Sequence, residues 1–370
     1  MSRVRSVELR LVSLPLVRPF RTSFGETREK VCVLVRVETD DAEGWGECVA
    51  DVRPTYSEEW NDGAWGVIRD FLAPAVFAAG DVEAGDLVSA FAFVRGHPMA
   101  KAALENAVLD AELRARGRSL ADHLGAVHER VACGVSVGIA PSTEILLEQV
   151  SGYLAEGYRR IKLKIEPGTD VERVRAVREA NPGILLSVDA NAAYRLADVE
   201  TFRALDAFGL LMIEQPLHHE DLWEHSLLQK EIETDLCLDE SIRSAADARA
   251  AIELGACRIV NVKQGRVGGV LEARRVHDVA QELGVPVWCG GMLETGVGRA
   301  TNLALAALPN FRLPGDTSAT NRYFAEDLTE PQVLAPDGTL PVPAGPGIGV
   351  EPDQGRLEAA TLRVERIVPG

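Results

Sequence analysis

Five charged residues recur through the middle of the chain at almost constant spacing. Each ends a short run of apolar residues, and the intervals between them are 25, 25, 25 and 24 residues. They are Lys164, Asp189, Glu214, Asp239 and Lys263. Charges at the carboxyl ends of successive parallel strands point into one mouth, where enzymes built on barrels keep their active sites. Because a buried charge is costly unless it is used or paired, the spacing predicts that these five residues act together.

The three central residues are carboxylates, which favours a site for a divalent cation. Adjacent strands lie about 4.8 Å apart, so Asp189, Glu214 and Asp239 at one level would repel one another and raise one another's pKa. A bound cation removes this repulsion. Three oxygen donors with open positions suit Mg²⁺, Mn²⁺ or another hard divalent cation. Zinc is disfavoured, because no histidine or cysteine shares the spacing.

Lys164 and Lys263 flank the three carboxylates in strand order, which in a closed barrel places the two amines on opposite sides of the mouth. A partly desolvated lysine near a divalent cation has a lowered pKa and can act as a base. A proton next to a carboxylate is removed only if the resulting enediolate is stabilised, and a metal with a second ammonium supplies that charge. The sequence therefore predicts metal-dependent proton abstraction from a small-molecule carboxylate substrate.

Two further cationic residues accompany the lysines. Lys162 precedes Lys164 by two positions, on the same face of the strand, and we expect it to neutralise the substrate carboxylate or a metal ligand. Arg266 follows Lys263 closely and would lower the pKa of that lysine. The alternatives are a surface lysine and a solvated loop arginine. The polar residues expected to orient the site from behind, by contacts to Asp189 and Lys263, are Asn191 and Glu240.

These residues need a scaffold of parallel strands, and the sequence pattern from about residue 131 predicts one. Short β-branched runs alternate there with helical stretches, as expected for βα units and a parallel sheet. The runs are Cys133–Val137, Arg160–Ile165, Ile184–Asp189, Leu210–Glu214, Asp235–Asp239, Arg258–Lys263, Val285–Cys289 and Phe311–Asp316. Eight units predict a TIM-type (β/α)₈ barrel. An open doubly wound sheet is the alternative, although no glycine-rich dinucleotide turn follows the first run.

The residues before the barrel predict a small α+β domain. Three runs joined by short turns indicate an antiparallel meander, with a long loop over Arg18–Lys30 and a helix over Met99–Arg116. The runs are Val4–Leu14, Val31–Glu38 and Gly44–Cys48. We therefore expect three units: a capping domain over 1–125, a catalytic barrel over 126–325, and a segment over 326–370 that returns to the cap.

Composition excludes several classes of function. The formal net charge is −17, which disfavours nucleic acid and anionic membranes as partners; solubility is the simpler explanation of the acidity. No signal peptide or membrane-spanning run is recognisable in the sequence. The six cysteines form no Cys-x-x-Cys pair, which is typical of reduced, buried cysteines. We expect a cytoplasmic enzyme, and a homo-oligomer.

The sequence resembles the enolase superfamily over nearly its whole length. The motifs that carry the resemblance are Lys162-Leu163-Lys164, Val188-Asp189-Ala190-Asn191, Ile213-Glu214-Gln215-Pro216, Leu238-Asp239-Glu240-Ser241 and Asn261-Val262-Lys263. The resemblance implies an α+β capping domain followed by a modified barrel, (β/α)₇β. The lysine pair on the second and sixth strands resembles the muconate-cycloisomerase subgroup, since the late histidine–aspartate pair of mandelate-racemase relatives is not evident.

Within that subgroup, three stretches resemble the N-acylamino acid racemase and o-succinylbenzoate synthase family. They are 54–64, 288–296 and 313–317. The family implies two reactions on one scaffold: racemisation of N-acyl (N-succinyl) amino acids with one lysine on each face, and a dehydration in which Lys164 is the base and Lys263 the stabilising cation. Asp316-Thr317-Ser318 departs from the Asp-x-Asp of dipeptide epimerases, which disfavours dipeptides.

The family pattern also implies residues that bind the substrate. Ser136 would contact the acyl or succinyl group, and Gly291 and Met292 would form an adaptable wall after the seventh strand. The capping residues expected to close over the substrate are Phe20, Phe24 and Tyr56. His218 and His219 are interpreted as loop residues. A synthase role in menaquinone biosynthesis, a muconate-type cycloisomerase and a non-catalytic metabolite-binding barrel remain as alternatives.

Overall fold

A computed structural model describes residues 2–370. The cap is built on an antiparallel sheet in which β14 (Thr361–Ile367), from the end of the chain, is followed by β1, β2 and β3, with β4 also paired to β1. The first four strands are β1 (Ser2–Thr22), β2 (Gly25–Thr39), β3 (Glu43–Cys48) and β4 (Asp81–Val82). The cap helices are α1 (Asn61–Val67), α2 (Ala73–Ala79), α3 (Leu87–Ala90), α4 (Pro98–Ala115) and α5 (Leu120–Leu124). The predicted meander is therefore present.

The predicted loop over Arg18–Lys30 is wrong. It is the far end of a long hairpin in which β1 and β2 continue to pair, as far as Thr22 opposite Gly25. The register shifts between Pro15 and Phe20, because two prolines in this stretch lack the N–H that a regular ladder needs. The hairpin leaves the cap core at this irregularity and reaches over the barrel.

The buried helix α4 packs tightly on β3. A methyl group added at Gly46 would lie 2.0 Å from the carbonyl oxygen of Ala103, and one at Gly44 would lie 2.1 Å from that of Ala107. Glycines on the strand and alanines on the helix therefore let the two backbones approach closely. This contact explains the alanine stripe by which the sequence predicted the helix.

The barrel contains seven regular parallel strands in sequential order. They are β6 (Gly134–Val137), β7 (Arg160–Lys164), β8 (Leu185–Asp189), β9 (Ile213–Glu214), β10 (Leu236–Leu238), β11 (Ile259–Val262) and β12 (Val287–Cys289), preceded by the short β5 (Arg130–Ala132). The helices are α6 (Thr143–Glu156), α7 (Asp170–Ala180), α8 (Val199–Asp206), α9 (Leu222–Glu231), α10 (Ala245–Leu254), α11 (Gln264–Val267), α12 (Val270–Glu282) and α13 (Gly296–Ala306). The predicted fold class is confirmed.

The eighth predicted run closes the ring without forming a regular strand. Phe311 bridges to Val287 on one side, and Gly315 bridges to Cys133 on the other. Pro314 lies between them and has no N–H to donate, while its carbonyl oxygen accepts from Arg160 Nε at 2.9 Å. The run therefore spans the gap between β12 and β6 with isolated bridges.

The chain then returns to the cap. β13 (Thr339–Pro341) pairs with β5, and after α14 (Gln354–Ala360) the strand β14 (Thr361–Ile367) pairs antiparallel with β1. The three predicted domain boundaries stay a prediction. None of the helices within residues 2–370 combines the length and apolarity that crossing a bilayer requires.

Candidate active site

The five regularly spaced charges meet at one end of the barrel. Lys164, Asp189 and Glu214 are in register on β7, β8 and β9, while Asp239 and Lys263 directly follow β10 and β11. Their side chains are at most 9 % exposed. Parallel strands bring their carboxyl ends to one rim, so the even sequence spacing becomes a single buried cluster.

The three carboxylates are held by side-chain cations. Lys162 Nζ lies 2.9 Å from Glu214 Oε2 and 3.3 Å from Asp189 Oδ2. Lys164 Nζ lies 2.6 Å from the same Asp189 oxygen. On the far side, Lys263 Nζ lies 2.8 Å from Asp239 Oδ2, and Arg266 contacts the other oxygen. Burial raises the pKa of Asp239, but these two cations outweigh it and hold the pKa below its ordinary value.

The negative charge of Glu214 is only partly compensated by the cations around it, so a further positive charge would stabilise it. Burial and the charge of Asp189 raise the pKa of Glu214 to about 8, although Lys162 opposes them. Asn261 Nδ2 also donates to Glu214 Oε1 at 2.8 Å. Three buried carboxylates on adjacent strands provide hard oxygen donors, and their mutual repulsion is relieved by a divalent cation. The chemistry of the donors therefore suits such an ion, although the oxygens of the three carboxylates do not all lie within 4.8 Å of one another.

A second group of ligand-type side chains lies at the surface. Among residues 2–370, His218, His219 and Glu220 have ligand atoms within 4.8 Å of one another. The two rings stack with centroids 4.4 Å apart, and His218 Nδ1 accepts from the backbone N–H of Glu220. All three residues are exposed in the loop after β9. Exposed side chains often lie this close together without binding an ion. The buried carboxylates are therefore the better candidate for a metal site.

Lys164 and Lys263 face each other across the barrel, since β7 and β11 are the second and sixth of eight positions around the ring. Lys164 Nζ also donates to Asn191 Oδ1 at 2.6 Å. Lys263 Nζ contacts Met292 Sδ at 3.5 Å. Burial and Arg266 lower the pKa of Lys263, but Asp239 and Tyr56 raise it further, so the pKa lies above its ordinary value. Arg266 thus lowers the pKa of Lys263 as predicted, but its effect is smaller than the opposing effects of Asp239 and Tyr56.

Tyr56 brings the cap into the site. Its hydroxyl accepts from Lys263 Nζ at 3.0 Å and donates to Asp239 Oδ1 at 3.0 Å. The ammonium also lies 4.5 Å from the centre of the tyrosine ring. A cap residue therefore touches both a proposed base and a proposed metal ligand, which ties the position of the cap to the position of Lys263.

A cavity of about 480 Å³ joins these groups under the cap. Both lysines line it, together with Lys162, Asn191 and the six residues that the family pattern implies for substrate binding, which are Phe20, Phe24, Tyr56, Ser136, Gly291 and Met292. The hairpin supplies Phe20 and Phe24 from above. Asp189, Glu214 and Asp239 do not line the cavity, whereas Asp51 and Asp316 do, so its wall presents carboxylates as well as amines.

Glu240 and Arg266 do not line this cavity. They lie against a neighbouring cavity of about 380 Å³, and Tyr56 belongs to the walls of both. Glu240 Oε1 accepts from Asn191 Nδ2 at 2.9 Å, and the structure records no hydrogen bond between Glu240 and Lys263 among the residues it describes. Asn191 makes the expected contact, since its backbone N–H donates to Asp189 Oδ1 at 3.0 Å, and the supporting roles of both residues stay a prediction.

Sequence reasoning assigned no role to Asp316 and Asn261. Asp316 Oδ2 lies 2.7 Å from Lys162 Nζ, and its other oxygen accepts from Arg160 Nη2 at 2.6 Å. Both cations stack on the ring of Trp288, at 4.8 and 4.7 Å. Lys162 therefore bridges the carboxylates of the mouth to a charged layer inside the barrel. Asp316 ends the eighth apolar run, so the rule that found the first five charges could have found it too.

Comparison with known proteins places these observations in a family. Residues 5–125 match the family described as mandelate racemase / muconate lactonizing enzyme, N-terminal domain, and residues 146–356 match enolase C-terminal domain-like. An N-succinylamino acid racemase from Amycolatopsis sp is 58% identical over 97% of this chain and 98% of its own. An o-succinylbenzoate synthase from Geobacillus kaustophilus is 48% identical over 97% and 96%. A solved enolase-superfamily structure from Listeria innocua has a TM-score of 0.95, with 40% identity and complete coverage of both chains.

Proposed function

Because this chain belongs to the enolase superfamily, we propose that it abstracts the proton alpha to a carboxylate and acts as an N-succinylamino acid racemase with o-succinylbenzoate synthase activity. Full-length relatives at 58% and 48% identity carry these two names. The observation that supports the proposal most strongly is the pair of amines, Lys164 and Lys263, which line one cavity from opposite sides. A protein that only binds a metabolite needs no such pair.

In racemisation each lysine serves one face of the substrate. The neutral amine of one lysine removes the α-proton, and the ammonium of the other returns a proton to the opposite face. Asn191 and Asp189 hold Lys164 in place, and Tyr56 and Asp239 hold Lys263. Positioning both amines before the substrate arrives removes an orientational cost from the chemical step.

In dehydration the same two residues take different roles. We propose that Lys164 removes the proton and then assists departure of hydroxide, while Lys263 remains an ammonium that stabilises the negative charge. Burial of Lys263 strengthens that interaction, because charges interact more strongly where water is excluded. The two reactions share the first step, so one arrangement of side chains serves both.

The residues proposed to hold the metal are Asp189, Glu214 and Asp239, and we propose Mg²⁺, with Mn²⁺ as a substitute. When bound, a divalent cation would supply positive charge to the carboxylate of the substrate and to the enediolate. Once the charge of Asp239 is neutralised, burial is the largest influence left on Lys263, and it lowers the pKa of that lysine; Arg266 also lowers it, while Tyr56 and Glu240 raise it. Neutralising Asp239 would therefore move the pKa of Lys263 in the direction that a base requires.

We propose in addition that the protein is cytoplasmic and homo-oligomeric. The six cysteines are free and buried, which suits a reducing compartment. Size-exclusion chromatography with light scattering measures the assembly directly, and a monomer at micromolar concentration would exclude the proposed oligomer.

The function is tested by comparing two rates on one preparation. The purified protein with Mg²⁺ is incubated in D₂O with each enantiomer of an N-succinyl amino acid, and α-proton exchange is followed by NMR. Dehydration to o-succinylbenzoate is followed separately by absorbance. We expect exchange of both enantiomers and measurable dehydration. Loss of the α-proton from neither enantiomer would exclude racemisation, and the dehydration rate then decides whether the synthase activity stands alone.

A further inference from the structure

One buried arginine beside the cavity has no carboxylate partner. Among residues 2–370, four arginines are at most 7 % exposed, namely Arg160, Arg266, Arg299 and Arg322. The first three pair with the carboxylates of Asp316, Asp239 and Asp327. For Arg322, the described chain places no carboxylate oxygen within 4.0 Å of the guanidinium. Buried charges are normally paired because desolvation is costly, so this exception calls for a reason.

Aromatic rings surround Arg322 instead. Its guanidinium lies 4.9 Å from the ring centres of Tyr153 and Tyr323, and 5.8 Å from that of Phe20. One nitrogen, Nη2, donates to the backbone oxygen of Ser136 at 2.7 Å. The Nε donor is buried and has no hydrogen-bond partner. The ring faces offset part of the desolvation cost, but they leave the positive charge without an anion.

The neighbours of Arg322 form part of the cavity wall. Phe20, Ser136 and Tyr323 all line the cavity of about 480 Å³. The hydroxyl of Ser136 is likewise buried without a hydrogen-bond partner. This corner of the site therefore combines the unsatisfied hydroxyl of Ser136 in the cavity wall with the unpaired cation of Arg322 directly behind that wall. A ligand group that accepts hydrogen bonds and carries negative charge would satisfy both.

We propose that Arg322 is the counter-charge for the terminal carboxylate of the succinyl group, and so a specificity-determining residue for anionic acyl groups. The inference rests on the proposed function. An N-succinyl amino acid and o-succinylbenzoate both carry a second carboxylate, remote from the one next to the reacting carbon. The metal site would take the near carboxylate, with the two lysines at the α-carbon beside it, and the corner at Ser136 and Arg322 takes the remote one. Because the charge is desolvated, its attraction for an anion is strong.

The test is a change in substrate preference. The value of kcat/KM is measured for N-succinyl-L-phenylalanine and N-acetyl-L-phenylalanine with the wild type, Arg322→Met and Arg322→Lys, all with Mg²⁺. Methionine keeps much of the apolar bulk, and lysine keeps the charge. We expect Arg322→Met to reduce the succinyl-to-acetyl ratio of kcat/KM roughly 10- to 100-fold, and Arg322→Lys to restore part of it. The control Arg312→Met removes an exposed arginine of the nearby eighth run.

The outcomes separate a binding role from a packing role. If Arg322→Met lowers kcat/KM for both substrates equally, the arginine only supports the wall and the proposal is wrong. If the variants do not fold, the wild type is tested with the succinyl carboxylate replaced by its carboxamide, and equal kcat/KM for acid and amide would also overturn the proposal. A wild type that is inactive on every N-acyl amino acid, and in dehydration, would instead refute the proposed function.

Discussion

Two regions of the molecule bury carboxylates, and they stabilise them with different partners. In the barrel mouth, side-chain ammonium and guanidinium groups hold Asp189 and Asp239. At the junction of cap and barrel, backbone N–H groups hold Glu47 and Glu105. Glu47 accepts from the backbone of Thr295 and Gly298 at 3.0 to 3.2 Å, at the start of α13.

Glu105 performs the same task at α12, where it accepts from the backbone N–H of Leu271 at 3.1 Å. The first N–H groups of a helix lack internal partners and attract negative charge. The cap therefore supplies the N-terminal acceptors of two barrel helices. Backbone donors cannot move away from the carboxylate, whereas lysine side chains can. We infer that the contacts at the junction stabilise the fold, whereas the carboxylates of the mouth can exchange a lysine partner for a metal ion or a substrate.

The largest effect should follow from removing a lysine of the mouth. Lys164→Ala and Lys263→Ala should each reduce α-proton exchange of one enantiomer by roughly 10³-fold or more, because the base on that face is lost. Exchange is measured in D₂O for each enantiomer separately. The matched control is Lys230→Ala, which removes an exposed lysine of α9. Full activity of both variants on both enantiomers would contradict the assignment of two bases.

Removing a carboxylate of the mouth should weaken metal binding. Asp239→Asn should lower Mn²⁺ affinity by roughly 10²-fold, measured by calorimetric titration, since a neutral amide is a poorer ligand. Asp235→Asn is the control, because Asp235 precedes the same strand β10 and is half-exposed in an ion pair with Arg258, away from the mouth. Equal affinities of the two variants would mean that the ion binds elsewhere, with the exposed group at His218 as the next site to mutate.

Arg266 offers a finer test of the mouth. Its charge lowers the pKa of Lys263, so Arg266→Gln should move the limb of the pH–rate profile that reports this lysine to higher pH. The rate at neutral pH should fall, because a smaller fraction of Lys263 is then the neutral amine. The measurement is kcat/KM between pH 6 and pH 10. A profile with the same limb as the wild type would remove the tuning role.

At the junction of cap and barrel, replacing the buried carboxylate of Glu47 by a neutral amide should lower the stability of the protein and leave its catalytic activity unchanged. In Glu47→Gln the amide NH₂ would face the N–H donors of Thr295 and Gly298, so we expect a loss of about 1–3 kcal/mol in unfolding free energy. Thermal and urea unfolding measure it. Glu43→Gln, at the exposed start of the same strand β3, should unfold like the wild type. A loss of activity without a loss of stability would place Glu47 in the site instead.

The smallest predicted effect concerns pH. Burial raises the pKa of Glu105 to about 7, against the opposing backbone bond from Leu271. The folded state therefore binds more protons than the unfolded state between pH 4.5 and 7, and this contribution to stability is complete below pH 4.5 and is lost as the pH rises through 7. Between pH 6 and pH 8 the wild type should lose about 1 kcal/mol more than Glu105→Gln. Parallel stability curves for the two proteins would contradict the raised pKa.

The sequence predicts the strands and helices of the barrel better than it predicts contacts between distant segments of the chain. Even spacing located the charges of the mouth, because each follows one strand and successive strands are neighbours. The same logic does not reveal that Asp316 meets Lys162, since that contact depends on how the ring closes. Nor does it reveal which cap residue reaches Lys263, because the route of the loop that carries Tyr56 depends on the docking of whole domains.

Two segments differ from their predicted secondary structure, namely the eighth run of the barrel and the tip of the cap hairpin. The eighth run reads as a strand by its apolar residues, but Pro314 and the hydrogen bond from Arg160 to its carbonyl group remove it from a regular ladder. The hairpin tip reads as a loop by its polar residues, although pairing continues to Thr22. In both cases local composition indicates one state, and a distant contact or a long pairing partner decides for the other. Arg322 belongs to the same class, since sequence spacing gives no sign that it lacks a carboxylate.

The return of β14 to the cap sheet has a consequence for how the protein is made. Val7 pairs with Ile367, so one edge of the first strand has no partner on the ribosome until residue 367 has emerged. The nascent cap must wait with an open edge while the whole barrel is synthesised, and open edges are prone to mispairing. Completion of the cap sheet therefore requires that synthesis has passed through the barrel.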